Sequence, residues 1–132
     1  MSVAPAEDLM EVLLDDIAYT DTVLPAEPWD DIYPIAAFNR LPNGGVTNDG
    51  LQDRALMAFL VIDKDRASAQ ASATRIADRI MNDGFSYNIP LDGKLWLVET
   101  VEQTSPAANE IDINPDNRFI EMSFWVNFSL RF

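Results

Sequence analysis

The sequence predicts an α+β domain, a four-stranded antiparallel or mixed β-sheet with two helices packed on it, in the order α-β-β-α-β-β. Three observations predict it. From Arg118 onward the even positions Ile120, Met122, Phe124, Val126, Phe128, Leu130 and Phe132 are apolar while Glu121, Ser123, Asn127, Ser129 and Arg131 fall between them, the period-2 pattern of a strand with one buried face. The stretch RALMAFLVID is apolar on both alternations, as in a central strand covered on both sides. Two further segments carry apolar residues at helical spacing, one before and one after that central strand.

Taken in order, PAEDLMEVLLDDIAYTD begins with a proline and early acids, both favourable at a helix start, and predicts a helix from about Ala6 to Tyr19. Pro25, Pro28 and Pro34 then exclude a helix interior and a central strand, so TVLPAEPWDDIYP reads as an extended connection pinned by Trp29 and Tyr33. IYPIAAFNR is a short strand with Pro34 at an edge. LPNGGVTNDG, with turn dipeptides at Asn43-Gly44 and Asp49-Gly50, reads as a long mobile loop. RASAQASATRIADRIMNDG is a helix whose Ala69, Ala73, Ile76, Ala77 and Ile80 share one side and which ends at Asn82-Asp83-Gly84. KLWLVETVEQT alternates as a third strand, SPAANEIDINPDN is a loop, and the terminal strand follows.

At 132 residues and 48% hydrophobic, the chain fits a single domain spanning residues 1–132, with a normal core and no staples. Cysteine and histidine are both absent, which removes disulfides, thiolate nucleophiles, the usual zinc sites and the commonest general base near neutral pH. The formal net charge is −13, and Glu7, Asp8, Glu11, Asp15, Asp16, Asp21, Glu27, Asp30 and Asp31 all precede Arg40, the first basic residue. Such a surface repels phosphate and argues against gripping nucleic acid. No apolar run approaches a membrane span and the acidic N-terminus does not read as a signal peptide, so the protein is expected to stay in the compartment where it is made; the absence of cysteine fits a reducing cytosol.

The sites that carry chemistry in other proteins are weak here. Asp15-Asp16 and Asp30-Asp31 are adjacent acids whose side chains point different ways, which suits solvated charge better than an acid/base pair. Asp112, Asn114 and Asp116 start like a calcium loop, but Asn117 replaces the turn glycine and Ser123 the bidentate glutamate. Trp29, Trp96 and Trp125 suit core or interface anchors better than a stacking platform. The expectation is therefore no catalytic residue, no metal and no cofactor: a protein that is not an enzyme. A chain of this size is about 35 Å across, while the terminal strand extended would reach about 50 Å. It must bend, bulge, or project into a neighbouring chain, and its end with Trp125 is a candidate subunit interface.

The succession of an amphipathic helix, the proline-broken EPWDDIYPIAAFNR, the apolar ALMAFLVID, the alanine-rich ASAQASATRIADRI and a closing FWVNFSLRF resembles the tail terminator proteins of long-tailed phages, more specifically the small terminators of phages infecting actinobacteria. That resemblance implies a structural virion protein, made in the host cytoplasm and located at the tail-neck junction. It implies a homo-oligomer, a hexameric ring that caps the tail tube protein, ends tail elongation and offers a docking surface to the head-tail connector or head-closure protein. DNA would pass through the lumen without specific binding. A head-to-tail ring closes when two unlike faces of each subunit meet after a fixed rotation. The positions expected at the subunit or tube interface are Trp29, Asp30, Asp31, Tyr33, Arg40, Trp125 and Arg131. The alternatives are another neck component or a small monomeric α+β ligand-binding module.

Overall fold

The computed structural model describes residues 3–47, 50–81, 87–109 and 118–130. Helix α1 (Ala6–Leu14) leads into β1 (Tyr19–Asp21), β2 (Ile35–Val46) and β3 (Asp53–Ile62); α2 (Arg66–Met81) follows, then β4 (Tyr87–Leu91), β5 (Lys94–Asn109) and β6 (Phe119–Leu130). The mixed α+β class and the two helices are as expected, but the four-stranded sheet in α-β-β-α-β-β order is not. Among the described residues the strands form one six-stranded sheet in the order β1-β2-β3-β6-β5-β4, which curls into a half-barrel.

Each added strand has a local cause. Helix α1 stops at Leu14 rather than Tyr19, where Asp15 and Asp16 meet the negative end of the helix dipole. The freed chain turns, and Tyr19–Asp21 pairs parallel to Ile35–Ala37. Asp92 and Gly93 both take positive φ, 51° and 76°, the geometry of a two-residue hairpin turn. They fold Tyr87–Leu91 back on Lys94–Val98 as the edge strand β4, where Pro90 is tolerated because no further strand needs its N–H.

The expected mobile loop after Arg40 is instead the second half of β2. A register shift between Arg40 and Gly44 is a bulge, after which Gly44, Gly45 and Val46 pair with Ala55, Arg54 and Asp53. Gly44 and Gly45 hold φ of 79° and 144°, which glycine reaches without strain. Likewise β5 continues through the segment expected as a loop as far as Asn109, with three register shifts against β6. Over its described residues the terminal strand does not project: β6 is bonded by β3 on one side and β5 on the other. The expected helix end at Asn82-Asp83-Gly84, the candidate calcium positions Asp112, Asn114, Asp116 and Asn117, and Arg131 lie outside the described residues.

Both helices lie on one face of the sheet. Leu9, Met10, Leu13 and Leu14 of α1 and Ala69, Ala73, Ile76 and Ile80 of α2 share a core with Phe38, Met57, Phe59, Trp96, Phe124 and Phe128. Phe59 sits 5.5 Å from both Phe38 and Phe124, edge-on to the latter. The small residues of α2 let its backbone come close to the sheet, so the large rings of the strands fill the space. Helix α1 touches β1 and β2 at one edge and β4 at the other, closing the hollow of the half-barrel.

Candidate interaction face

The other face of the sheet is where the two alternations of β3 and β6 part company. Residues Leu56, Ala58 and Leu60 of β3 and Phe119, Ser123, Trp125 and Asn127 of β6 point away from the helices and are half-buried. Among the described residues, the proline-broken strap between β1 and β2 covers one end of this face. There Trp29, 8% exposed, joins Ile35 and Ile62 in a small second core with Ile32, Tyr33, Leu60 and Phe119. The indole N–H of Trp29 donates to the Pro25 carbonyl at 2.9 Å, and the ring meets Phe119 edge-on at 6.4 Å. Arg118 lies over both rings, 5.8 Å and 6.0 Å from their centroids, and donates to the Tyr33 hydroxyl at 3.0 Å. Trp29 and Tyr33 are thus brought together by contacts within the chain, while Asp30 and Asp31 beside them are exposed.

Beside the strap the face sinks into an open trough of about 480 Å³, floored by Ala37, Ala58, Leu60 and Ser123 and edged by Glu121 and by Thr22, Val23 and Leu24. The face sinks there because Ala37, Ala58 and Ser123 carry small side chains. Val23 and Leu24 on its rim are 65% and 40% exposed. Beyond it lies Trp125, with the Arg54 guanidinium 5.0 Å above the ring. The bulged hairpin reaches the same ring: a Cβ on Gly44 would collide with the Arg54 carbonyl and come to 3.0 Å of Trp125. Next in line on β6, the side-chain oxygen of Asn127 is buried and meets no hydrogen-bond donor among the described residues.

Arg40, expected at an interface, is used inside the domain. Its guanidinium grips the fully buried Asp53 carboxylate in two hydrogen bonds, one of 2.6 Å. The backbone N–H of Ala4 donates to the same carboxylate at 2.7 Å, and the backbone N–H of Arg40 donates to Glu7 at 3.1 Å. The start of the chain is therefore tied to the β2–β3 hairpin. Burial pushes the Asp53 carboxyl up, but the Arg40 hydrogen bonds and the Ala4 N–H outweigh it and hold the group below the usual carboxylate range. Arg40 is correspondingly raised, first by its hydrogen bonds to Asp53.

The three tryptophans do not form one platform. Trp96 is 4% exposed in the helix-side core, while Trp29 and Trp125 lie on the opposite face, Trp29 at its Phe119 end and Trp125 in mid-strand. Asp16 pairs with Arg79 at 2.7 Å at the surface, and Asp15 beside it is exposed. Among the described residues no group of three or more acidic side chains is arranged to hold a metal, and no helix is long and apolar enough to cross a membrane. What the second face offers chemically is contact area: aliphatic and aromatic surface with arginine beside it. No protein-family model matches the chain, and no curated protein matches it.

Proposed function

We propose that the protein is a structural ring subunit of a phage tail, a tail terminator whose hexamer caps the tube protein and receives the head connector. One observation carries the reading on the structural side: a sheet whose helix side is closed leaves Leu56 and Trp125 only half-buried on its other side, beyond the strap that packs on Leu60 and Phe119. Aromatic side chains beside arginine, partly desolvated before any partner arrives, are the residues that dominate protein interfaces. The resemblance in the segments around Tyr33-Pro34 and the terminal strand supplies the identity of the assembly.

In this reading the work is geometric. Unlike faces of neighbouring subunits meet, rotation closes the ring, and the closed ring has no site for another tube layer. The acidic excess of the chain keeps DNA from adhering as it passes. The test is electron microscopy of particles made when the gene is silenced in its phage. Headless tails of uncontrolled length are the expected result. Tails of normal length beside unjoined heads would assign the protein to another neck position, and intact particles would remove both readings.

A further inference from the structure

We propose that the outward stripe of α1 docks on the outward stripe of α2 in a second copy of this chain. Both helices bury one side against the sheet, which leaves each with a line of exposed residues. On α1 that line is Asp8, Glu11, Val12 and Asp15, spaced three and four apart and so stacked along one face. Val12 is 44% exposed at its centre. On α2 the line is Ala67, Ala71, Thr74 and Asp78, with Arg75 beside it and Lys64 exposed just before the helix.

Shape and charge both pair these lines. Alanines at four-residue spacing let a second helix come to the near end of the usual 8–10 Å range, with room for a valine between Ala67 and Ala71. The α1 line carries three acids and no base. Lys64 and Arg75 form no ion pair among the described residues; Arg75 donates at 3.4 Å to the Ile17 carbonyl, and Asp65 is held by the Ser68 N–H at 2.7 Å as the helix cap. In a chain of net charge −13, two copies repel unless acid meets base. The segment from Lys64 to Arg79 holds four of the nine basic residues against two acids, Asp65 and Asp78; Arg79 is already paired with Asp16 of its own chain, and Lys64 and Arg75 are the two bases that the contact uses. The complement to the acidic helix is thus in the same sequence, which selects a second copy as occupant.

The contact does not rest on the ring reading. If the two stripes meet reciprocally a dimer closes, and if they meet head to tail a ring does. The experiment is sedimentation equilibrium of the wild-type chain and two variants up to about 1 mM, a range that captures weak association. One variant is Lys64→Glu with Arg75→Glu. The other is Glu11→Lys with Asp15→Lys, which places bases where the α1 dipole favours them; circular dichroism checks that both fold. Wild-type association is expected to weaken about tenfold or more in each variant alone and in about 0.5 M salt, and to return when the variants are mixed, because every contact is then acid on base. A monomeric wild type at the highest concentration, or either variant associating as the wild type does, would overturn the proposal. A charge-sensitive dimer would uphold the contact and count against the ring, whereas a ring indifferent to these reversals would uphold the ring and remove the contact.

Discussion

The two faces of the central strands differ although they belong to the same residues in sequence. On the helix side of β6, Ile120, Met122, Phe124, Val126 and Phe128 are all at most 2% exposed; on the other side Ser123, Trp125 and Asn127 are half-covered, and Glu121 is exposed. Among the described residues, one face is closed by two helices and the other by a single strap at one end. Energy of folding is therefore concentrated on the first face, and the second is free to be spent on association. The sharpest way to break that contrast is a pair of substitutions one residue apart. Phe124→Ala removes a ring fully buried against Phe59 and is expected to cost about 3–5 kcal/mol; Trp125→Ala, on the half-open face, is expected to cost less than half as much. Urea denaturation of both checks it, and equal losses would mean that the two faces are equally structural.

Next in size is the tie that links α1 to the hairpin. Arg40→Met leaves Asp53 buried with the Ala4 N–H and no guanidinium, which is expected to cost roughly 3 kcal/mol at neutral pH. The sign with pH follows from the direction of the shift. Asp53 is held below its unfolded value of about 3.9, so its contribution is fully present above that value and is lost as pH falls through the folded one. Denaturation midpoints measured from pH 7 to pH 2 are expected to fall less steeply in Asp53→Asn than in the wild type, while that variant is less stable at pH 7. A parallel fall in both would place the acid sensitivity elsewhere.

The bulge sharpens the contrast from the outer side. Gly44→Ala forces a side chain into positive φ and against the Arg54 carbonyl, an expected loss of about 1–3 kcal/mol. Because the same Cβ reaches the Trp125 ring, the substitution is also expected to shift tryptophan emission. A stability loss with unchanged emission would separate the hairpin from the outer face.

These contrasts show what sequence carries and what it does not. The buried sides of α2 and β6 were legible because each has a strict period that one set of apolar residues satisfies. The hairpin at Asp92-Gly93 had a readable signal, an Asp-Gly pair between YNIPL and KLWLV, that the four-strand reading passed over. Gly44 and Gly45 were misread because glycines that make a loop mobile and glycines that make a bulge look alike in sequence. β1 left no such trace: a three-residue parallel strand is decided by what lies beside it. The uncovered face was illegible for a related reason. Leu56, Ala58 and Leu60 in ALMAFLVID look like residues covered on both sides, and only the path of the strap determines that the cover stops short. The tie between Arg40 and Asp53 was illegible too, because they lie thirteen residues apart and only the pairing of β2 with β3 brings them together.

The smallest expected effect tests whether ionic contacts follow the same division. Asp16 and Arg79 make two hydrogen bonds at 2.7 Å and 3.1 Å, and the Arg79 hydrogen bonds lower the Asp16 pKa. The pair is at the surface, where water screens it and ordering two side chains offsets much of the attraction. Asp16→Asn is therefore expected to leave the melting temperature unchanged within error at physiological salt, in contrast to Asp53→Asn, although both acids accept two hydrogen bonds from one arginine. Were the two losses similar, ion-pair geometry rather than burial would set the value of a charge in this fold, and the argument that its energy sits on the sealed face would have to be given up.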